Sequence, residues 1–370
     1  MKILHTSDWH LGKRLAPFDR TDEQKEVLKE IEKIVEDNAV DVLLIAGDVF
    51  DVSVPPAKAE EIFYRAALDL SRHCLVVAIA GNHDDGERLK APDTLAKASG
   101  IHLCGGFDCS DLSCESVEAK EGGIIYRKGG ERLNLALCPY LTESRKGDPP
   151  AQDFAAYCAK VLSERTFDVF SPDGCNILVA HLFMTGSLTG EERELGSAKM
   201  LPLSVLPKCD YAALGHIHRP MKLTHNVFYS GSILNYAFDG HEKKEVILFD
   251  TVTKETKHIP LVSGKKLVTV EANGFDAALA AIEEAGDNFV KLVYDCAVPL
   301  SASQTVRLEK AGKLVQLEIV PQGVKREAAR RAHKSARELF EEYYRNLNGG
   351  ESAPEELTAE FMALFEKEEL

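Results

Sequence analysis

From its first residues the chain alternates apolar runs with amphipathic stretches. Lys2 to Thr6 reads as a short strand, and Ser7 to Gly12 as the loop that leaves it. Across Asp22 to Asp37, Val27, Leu28, Ile31, Ile34 and Val35 recur at the spacing of a one-sided helix. Val40 to Ala46 is an apolar run of strand length that turns at Gly47-Asp48-Val49-Phe50-Asp51. Ala57 to Leu70 is helical and opens after Pro55-Pro56. His73 to Ala80 is a third strand, ending in Gly81-Asn82-His83-Asp84, and Glu87 to Ala98 reads as a further helix. Strands and helices in this alternation imply a parallel sheet with functional loops at the carboxyl ends of its strands.

From Ile101 to Tyr140 the pattern turns β-rich, with Gly122-Gly123 and Gly129-Gly130 marking turns. A helix over Asp153 to Arg165 precedes a strand over Asn176 to Ala180 that ends at His181. Tyr211 to Leu214 is a strand running into Gly215-His216-Ile217-His218. Met221 to Leu223, Val227 to Tyr229, Val246 to Phe249 and Thr256 to Ile259 are expected to build a second, mainly antiparallel sheet. The expected fold class is α/β, with two packed β-sheets flanked by helices. After Ser263-Gly264 the pattern restarts as β-α-β-α-β, over Leu267 to Val270, Phe275 to Ala285, Phe289 to Tyr294, Ala302 to Ala311 and Val315 to Val320. Two amphipathic helices follow, over Lys325 to Asn348 and from Ser352 onward, the second opened by a capping-box pattern. The expected domains are therefore residues 1–263, a small α+β capping domain over 264–324, and C-terminal helices over 325–370.

Composition narrows the picture. With 45% hydrophobic and 28% charged residues this is an ordinary globular chain. No apolar run approaches the ~20 residues of a membrane span, and nine cysteines without a Cys-x-x-Cys pair suit a reduced, cytoplasmic setting. A net charge of −15 excludes a protein that coats nucleic acid with an all-over basic surface. The charge is uneven, however: Lys325 to Arg337 holds six basic side chains and one acid, and Glu338 to Leu370 ten acids and two bases.

The candidate chemistry sits at the ends of the strands. Asp8 and His10 stand two residues apart, so in extended backbone both would face one point. His216 and His218 repeat that spacing, and Asp48, Asn82 and His181 each follow a strand. Two divalent ions ~3.5–4 Å apart need about this many ligands. Asp48 suits the bridging position, and Asn82 adds a neutral oxygen that keeps the site open to a phosphate. For His5, His73, His102, His225, His241, His258 and His333 an ordinary surface or hydrogen-bonded role is expected.

These motifs together resemble the calcineurin-like metallophosphoesterase superfamily. Within it, Thr6-Ser7-Asp8-Trp9-His10-Leu11-Gly12 and Ala46-Gly47-Asp48-Val49-Phe50-Asp51 resemble the bacterial SbcD family of double-strand-break repair nucleases. The resemblance implies a manganese-dependent DNA nuclease, a 3'-5' exonuclease on duplex ends and an endonuclease on single strands or hairpins. It implies a homodimer that joins the SbcC coiled-coil ATPase as a heterotetramer in DNA repair, recombination and replication. It also implies that Asp8, His10, Asp48 and His218 hold one ion and Asp48, Asn82, His181 and His216 the other. His83, beside ligand Asn82, is expected at the leaving oxygen, with the Asp51 carboxylate accepting a bond from it. Ile62, Phe63 and Leu89 lie on the helices expected to pair across the dimer axis, and the C-terminal helices are expected to dock on SbcC. A phosphoprotein or cyclic-nucleotide phosphoesterase keeps the same metals but has no evident need of the added capping domain and tail. A non-catalytic scaffold would lack a ligand, and none is missing.

Overall fold

Four strands near the start of the chain are apolar on both faces, and both faces are covered. They are β1 (Lys2–Thr6), β2 (Val42–Ile45), β3 (Leu75–Ile79) and β4 (Ile101–Cys104), paired in parallel in that order. One face, carrying Leu4, Leu43, Ile45, Val76 and Ala78, packs under helices α1 (Thr21–Asp37) and α2 (Ala57–Ser71) through Val27, Ile31, Val35, Phe63 and Ala67. The other, with Ile3, Val42, Leu44, Val77 and Ile79, meets a second sheet. The computed structural model describes residues 1–106, 109, 113–141, 153–185, 200–238, 243–296, 299–321, 340, 344–345, 353–354 and 357–358.

The second sheet is formed by β5 (Val117–Lys120), β6 (Gly123–Lys128), β7 (Glu131–Cys138), β8 (Cys175–His181), β9 (Tyr211–Gly215), β10 (Met221–Lys222) and β11 (Val227–Tyr229), in the order β10-β11-β9-β8-β7-β6-β5. Its inner residues Ile124, Leu135, Ile177, Tyr211 and Phe228 close the core between the sheets. Its outer face is covered by α5 (Phe154–Phe167), whose Cys158, Val161 and Leu162 lie on Ala136, Leu178 and Leu214. The layers therefore run helix, sheet, sheet, helix, as the apolar patterning implies.

Three details differ from expectation. The strands β12 (Glu245–Asp250) and β13 (Thr256–Pro260) do not join Met221 and Val227 in the second sheet. They complete the first, β12 lying antiparallel on β1 with Leu4 opposite Leu248. A hairpin's own sequence does not say which open edge it will close. The second sheet is also parallel through its centre, from β7 to β8, β9 and β11. The helix expected over Glu87 to Ala98 is two, α3 (Gly86–Lys90) and α4 (Asp93–Ala98), because Pro92 has no N–H with which to continue the first.

Leu89 on α3 is 1% exposed and belongs to the same core as Ile62 and Phe63. These three side chains face inward, not toward a partner. Leu89→Asp should therefore cost about 3 kcal/mol or more by emptying a packed site and burying a charge. A urea midpoint equal to that of the wild type would contradict this placement.

The described residues form two units, Met1–Leu267 and Val268–Leu370. In the second, β14 (Leu267–Asn273), α6 (Phe275–Glu284), β15 (Phe289–Cys296), α7 (Ala302–Ala311) and β16 (Lys313–Pro321) give the β-α-β-α-β order read from the sequence. The strands line up as β14-β15-β16 over a core of Ile282, Val290, Leu292 and Leu308. Ser301 and Gln304 form a capping box at the start of α7. Most of the expected C-terminal helices lies outside the described residues.

Candidate metal centre

Five segments converge where the carboxyl ends of both sheets meet. The loops after β1, β2 and β3 bring Asp8 and His10, Asp48, and Asn82 and His83. The end of β8 brings His181, and the loop after β9 brings His216 and His218. The backbone there is unusual. Asp8, His10, Asp48 and His216 all have positive φ, at 52, 44, 49 and 104 degrees. Asp8 and His10 thus reach one point through left-handed turns, not through the extended backbone that their spacing suggests. Such conformations cost on the order of 1–3 kcal/mol each and persist only where neighbours over-determine them. Here the loops are zipped together: Asp8 N–H donates to the Gly47 carbonyl, His10 N–H to Asp48 and Leu11 N–H to Val49, each at 3.0 Å. A Cβ on Gly47 would come 2.2 Å from His181 Nδ1, and one on Gly81 would come 2.1 Å from Asp48 Oδ1. Both glycines are required by this close approach.

The side chains form two overlapping sets. Ligand atoms of Asp8, His10 and His218 lie within 4.8 Å of one another, as do those of Asp8, Asp48 and His181. Asp48 Oδ2 is 3.5 Å from both His10 Nε2 and His181 Nε2, so it stands between the sets. Asn82 Oδ1 lies 2.9 Å from His181 Nε2 and 2.8 Å from His216 Nδ1. The structure brings all seven sequence candidates together.

Several of these contacts set acceptor against acceptor. His181 Nδ1 is 2.9 Å from the Ala46 carbonyl and must donate to it, so Nε2 is the atom aimed at the oxygens of Asn82 and Asp48, and a cation there would take the place of its proton. His10 Nε2 and His218 Nε2 face each other at 2.9 Å, while burial keeps both rings below their ordinary pKa. Burial likewise holds His216 down at about 3. Asp8 is raised to about 7 by burial, against the pull of His181 and with the push of Asp48. Burial also opposes ionisation of Asp48, yet His181, His10 and His83 hold it well below the usual carboxylate range. His181 shows the balancing effect: burial disfavours its charge, but Asp48 raises it to about 9. Buried carboxylates, imidazoles held neutral at His10, His216 and His218, and ring nitrogens facing one another fit divalent cations. The oxygen and nitrogen donors contain no thiolate, which points to hard or borderline ions.

His83 lies at the rim of this cluster, a ring nitrogen within 4.8 Å of ligand atoms of His10 and Asp48. Its Nδ1 donates to the backbone carbonyl of Asp51 at 2.7 Å, not to the Asp51 carboxylate. That carboxylate instead accepts from Lys13 Nζ at 2.8 Å and lies 3.4 Å from His10 Nδ1. Burial opposes its ionisation, but His10 and Lys13 hold it at about 2. The bond expected between Asp51 and His83 is thus made by the main chain, because Lys13 and His10 compete for the side chain.

Comparison with known proteins gives the family. Residues 1–220 match the calcineurin-like phosphoesterase family. The chain is 33% identical over 98% of its length to the SbcD component of the nuclease SbcCD of Bacillus subtilis, covering 97% of that protein. It is 30% identical to the protein of the same name from Rhodobacter capsulatus, over 74% of this chain and 72% of that one. The chain belongs to the SbcD family of calcineurin-like phosphoesterases. A solved structure, TT1561 of Thermus thermophilus, aligns at a TM-score of 0.43 and 13% identity over 70% of this chain and 98% of that one. As a member of the SbcD family the chain is a metal-dependent phosphodiester hydrolase. Among the described residues no helix is long and apolar enough to cross a membrane.

In this SbcD-family centre Asp84 is a residue that motif reading passes over. It is buried and accepts the N–H groups of Gly81, Phe50 and Val49 at 2.9, 2.9 and 3.1 Å. One carboxylate thus ties the loop of Asp48 to the loop of Asn82. Burial and the nearby Asp48 charge raise it to about 6. Asp84→Ala leaves three buried donors without their acceptor, a loss on the order of 3 kcal/mol or more. Chemical denaturation of the purified variant should show that loss, and a stability within error of the wild type would deny Asp84 this role. His5, by contrast, is a satisfied core residue bonded to the Tyr211 hydroxyl and the Leu214 carbonyl, as expected. His241 and His333 lie outside the described residues.

Proposed function

We propose that this chain is a manganese-dependent DNA nuclease, acting as a 3'-5' exonuclease on duplex ends and an endonuclease on single strands and hairpins. The observation that carries the reading is the place of Asp48, whose Oδ2 lies 3.5 Å from both His10 Nε2 and His181 Nε2 among buried ligand atoms. Asp8, His10, Asp48 and His218 would hold one ion, and Asp48, Asn82, His181 and His216 the other. When bound, two such ions supply Lewis acidity, acidifying a water and offsetting charge on the phosphoryl oxygens. The chain's own residues do the rest. Ala46 and Asp51 fix the tautomer and aim of His181 and His83 through their main-chain carbonyls. His83, beside Asn82 and half-buried at the rim, delivers a proton to the leaving oxygen through Nε2. Asp51 and Lys13 brace His10 from behind. Tyr140 stacks on His216, with ring centroids 6.0 Å apart, and Phe183 flanks the same ring.

The curated relatives are named as one component of the nuclease SbcCD, which supports the SbcC ATPase as partner. We keep the homodimer and heterotetramer with SbcC as part of the proposal, with the pairing surface on side chains other than Leu89. Residues 325–370 would carry the SbcC contact, and 264–324 would form the cap. Hydrolysis of end-labelled duplex and hairpin DNA, measured against para-nitrophenyl phosphate in manganese, tests the substrate class. Faster turnover of DNA is expected. Turnover of the small ester alone would favour a general phosphoesterase.

A further inference from the structure

Helix α1 carries a side chain that no motif marks. Gln24 is fully buried, and its amide spans the loop bearing Asp8 and His10. Its Nε2 donates to the His10 carbonyl at 3.0 Å, and its Oε1 accepts the Gly12 N–H at 3.1 Å. The backbone it grips is left-handed at His10, with φ 44, and at Gly12, with φ 93. Tyr236 closes the other side, its hydroxyl donating to the Trp9 carbonyl at 2.6 Å and its ring meeting the His10 imidazole edge-on. Both ends of the buried amide are therefore committed to one strained turn. Among the described residues its hydrogen bonds go to that loop and to Tyr236, and none goes to Asn82, His181 or His216.

We propose that Gln24 is a positioning residue of the metal centre, whose amide fixes the turn at His10 and so aims His10 Nε2 toward Asp8, Asp48 and His218. This rests on the two-metal reading above. An amide suits the position because the turn presents one acceptor and one donor. A carboxylate at 24 would accept from Gly12 but repel the His10 carbonyl, and an apolar side chain would leave the buried Gly12 N–H unpaired and the His10 carbonyl with only the Lys13 N–H.

Because Gln24 touches only one of the two ligand sets, its loss should affect one metal position and not both. A globally weakened fold would affect both. The test is calorimetric titration of the metal-stripped full chain with Mn²⁺ alone, for wild type, Gln24→Leu and Gln24→Glu. The control is Glu30→Gln, since Glu30 lies further along α1 and accepts the Val262 and Ser263 N–H groups, away from the site. The expected result is two binding events in wild type and control. One of those affinities should fall about ten-fold or more in Gln24→Leu and less in Gln24→Glu, with the other unchanged. Hydrogen exchange at the Gly12 amide should quicken in step. Equal weakening of both affinities, or no change in either, would overturn the proposal while leaving the two-metal reading in place. Fewer than two events in wild type would remove that reading and this proposal with it. If Gln24→Leu does not fold, Gln24→Glu decides by the same split.

Discussion

Asp48→Asn will reduce hydrolysis on the order of 10³-fold or more, because in the proposed assignment Asp48 is the ligand common to both ions. The substitution keeps the size and the Oδ1 acceptor that takes the His83 N–H at 2.9 Å, so the loops should still assemble. What it removes is the charge that lies 3.5 Å from both His10 and His181. The metal-linked stability gives a readout independent of turnover. An ion that binds only the folded state stabilises it by about 2.7 kcal/mol at a hundred times its dissociation constant. The thermal midpoint of the wild type should rise with added Mn²⁺, and that of Asp48→Asn should rise much less. Equal rises, or activity within about ten-fold of wild type on the scale of these effects, would remove Asp48 from the bridging position.

His83→Gln should behave differently. Its ring leans on the Asp51 carbonyl at the rim of the cluster, and in the proposed assignment it holds neither ion. Binding of both ions and of DNA should persist, with turnover lowered on the order of 10²-fold or more by loss of the proton donor. The loss should appear in kcat with KM little changed, as for a group used only in the transition state. A variant that loses a metal ion as well would make His83 a ligand. A variant with normal kcat would leave it no role in the chemistry.

The contrast between these variants reflects how the site is encoded. Asp8, Asp48, Asn82, His181 and His216 are legible because each follows a strand whose apolar run marks its end, and a strand end in a parallel sheet is where a loop can face a ligand. The layered fold is legible for the same reason, since apolar runs and amphipathic helices state which faces are covered. Other features depend on partners far away in the chain. The placement of β12 beside β1 is decided by Leu248 meeting Leu4, and no local pattern records that. The family resemblance implies Asp51 as the partner of His83, but Lys13, on a different loop, takes its carboxylate. The left-handed turns at Asp8 and His10 are held by Gly47, Asp48 and Gln24, so their spacing alone suggests the wrong backbone. Asp84 and Gln24 act by hydrogen bonds to the main chain, and such bonds leave no signature in residue type or spacing.

In the proposed centre Asp48 would join two divalent ions held by the remaining six ligands. Anomalous diffraction at the manganese edge, on crystals of the full chain grown with Mn²⁺, addresses it without relying on activity. Two peaks are expected ~3.5–4 Å apart, with an Asp48 oxygen against both, Asp8, His10 and His218 at one, and His181, His216 and Asn82 at the other. A single peak, or two peaks with Asp48 against only one of them, would contradict it.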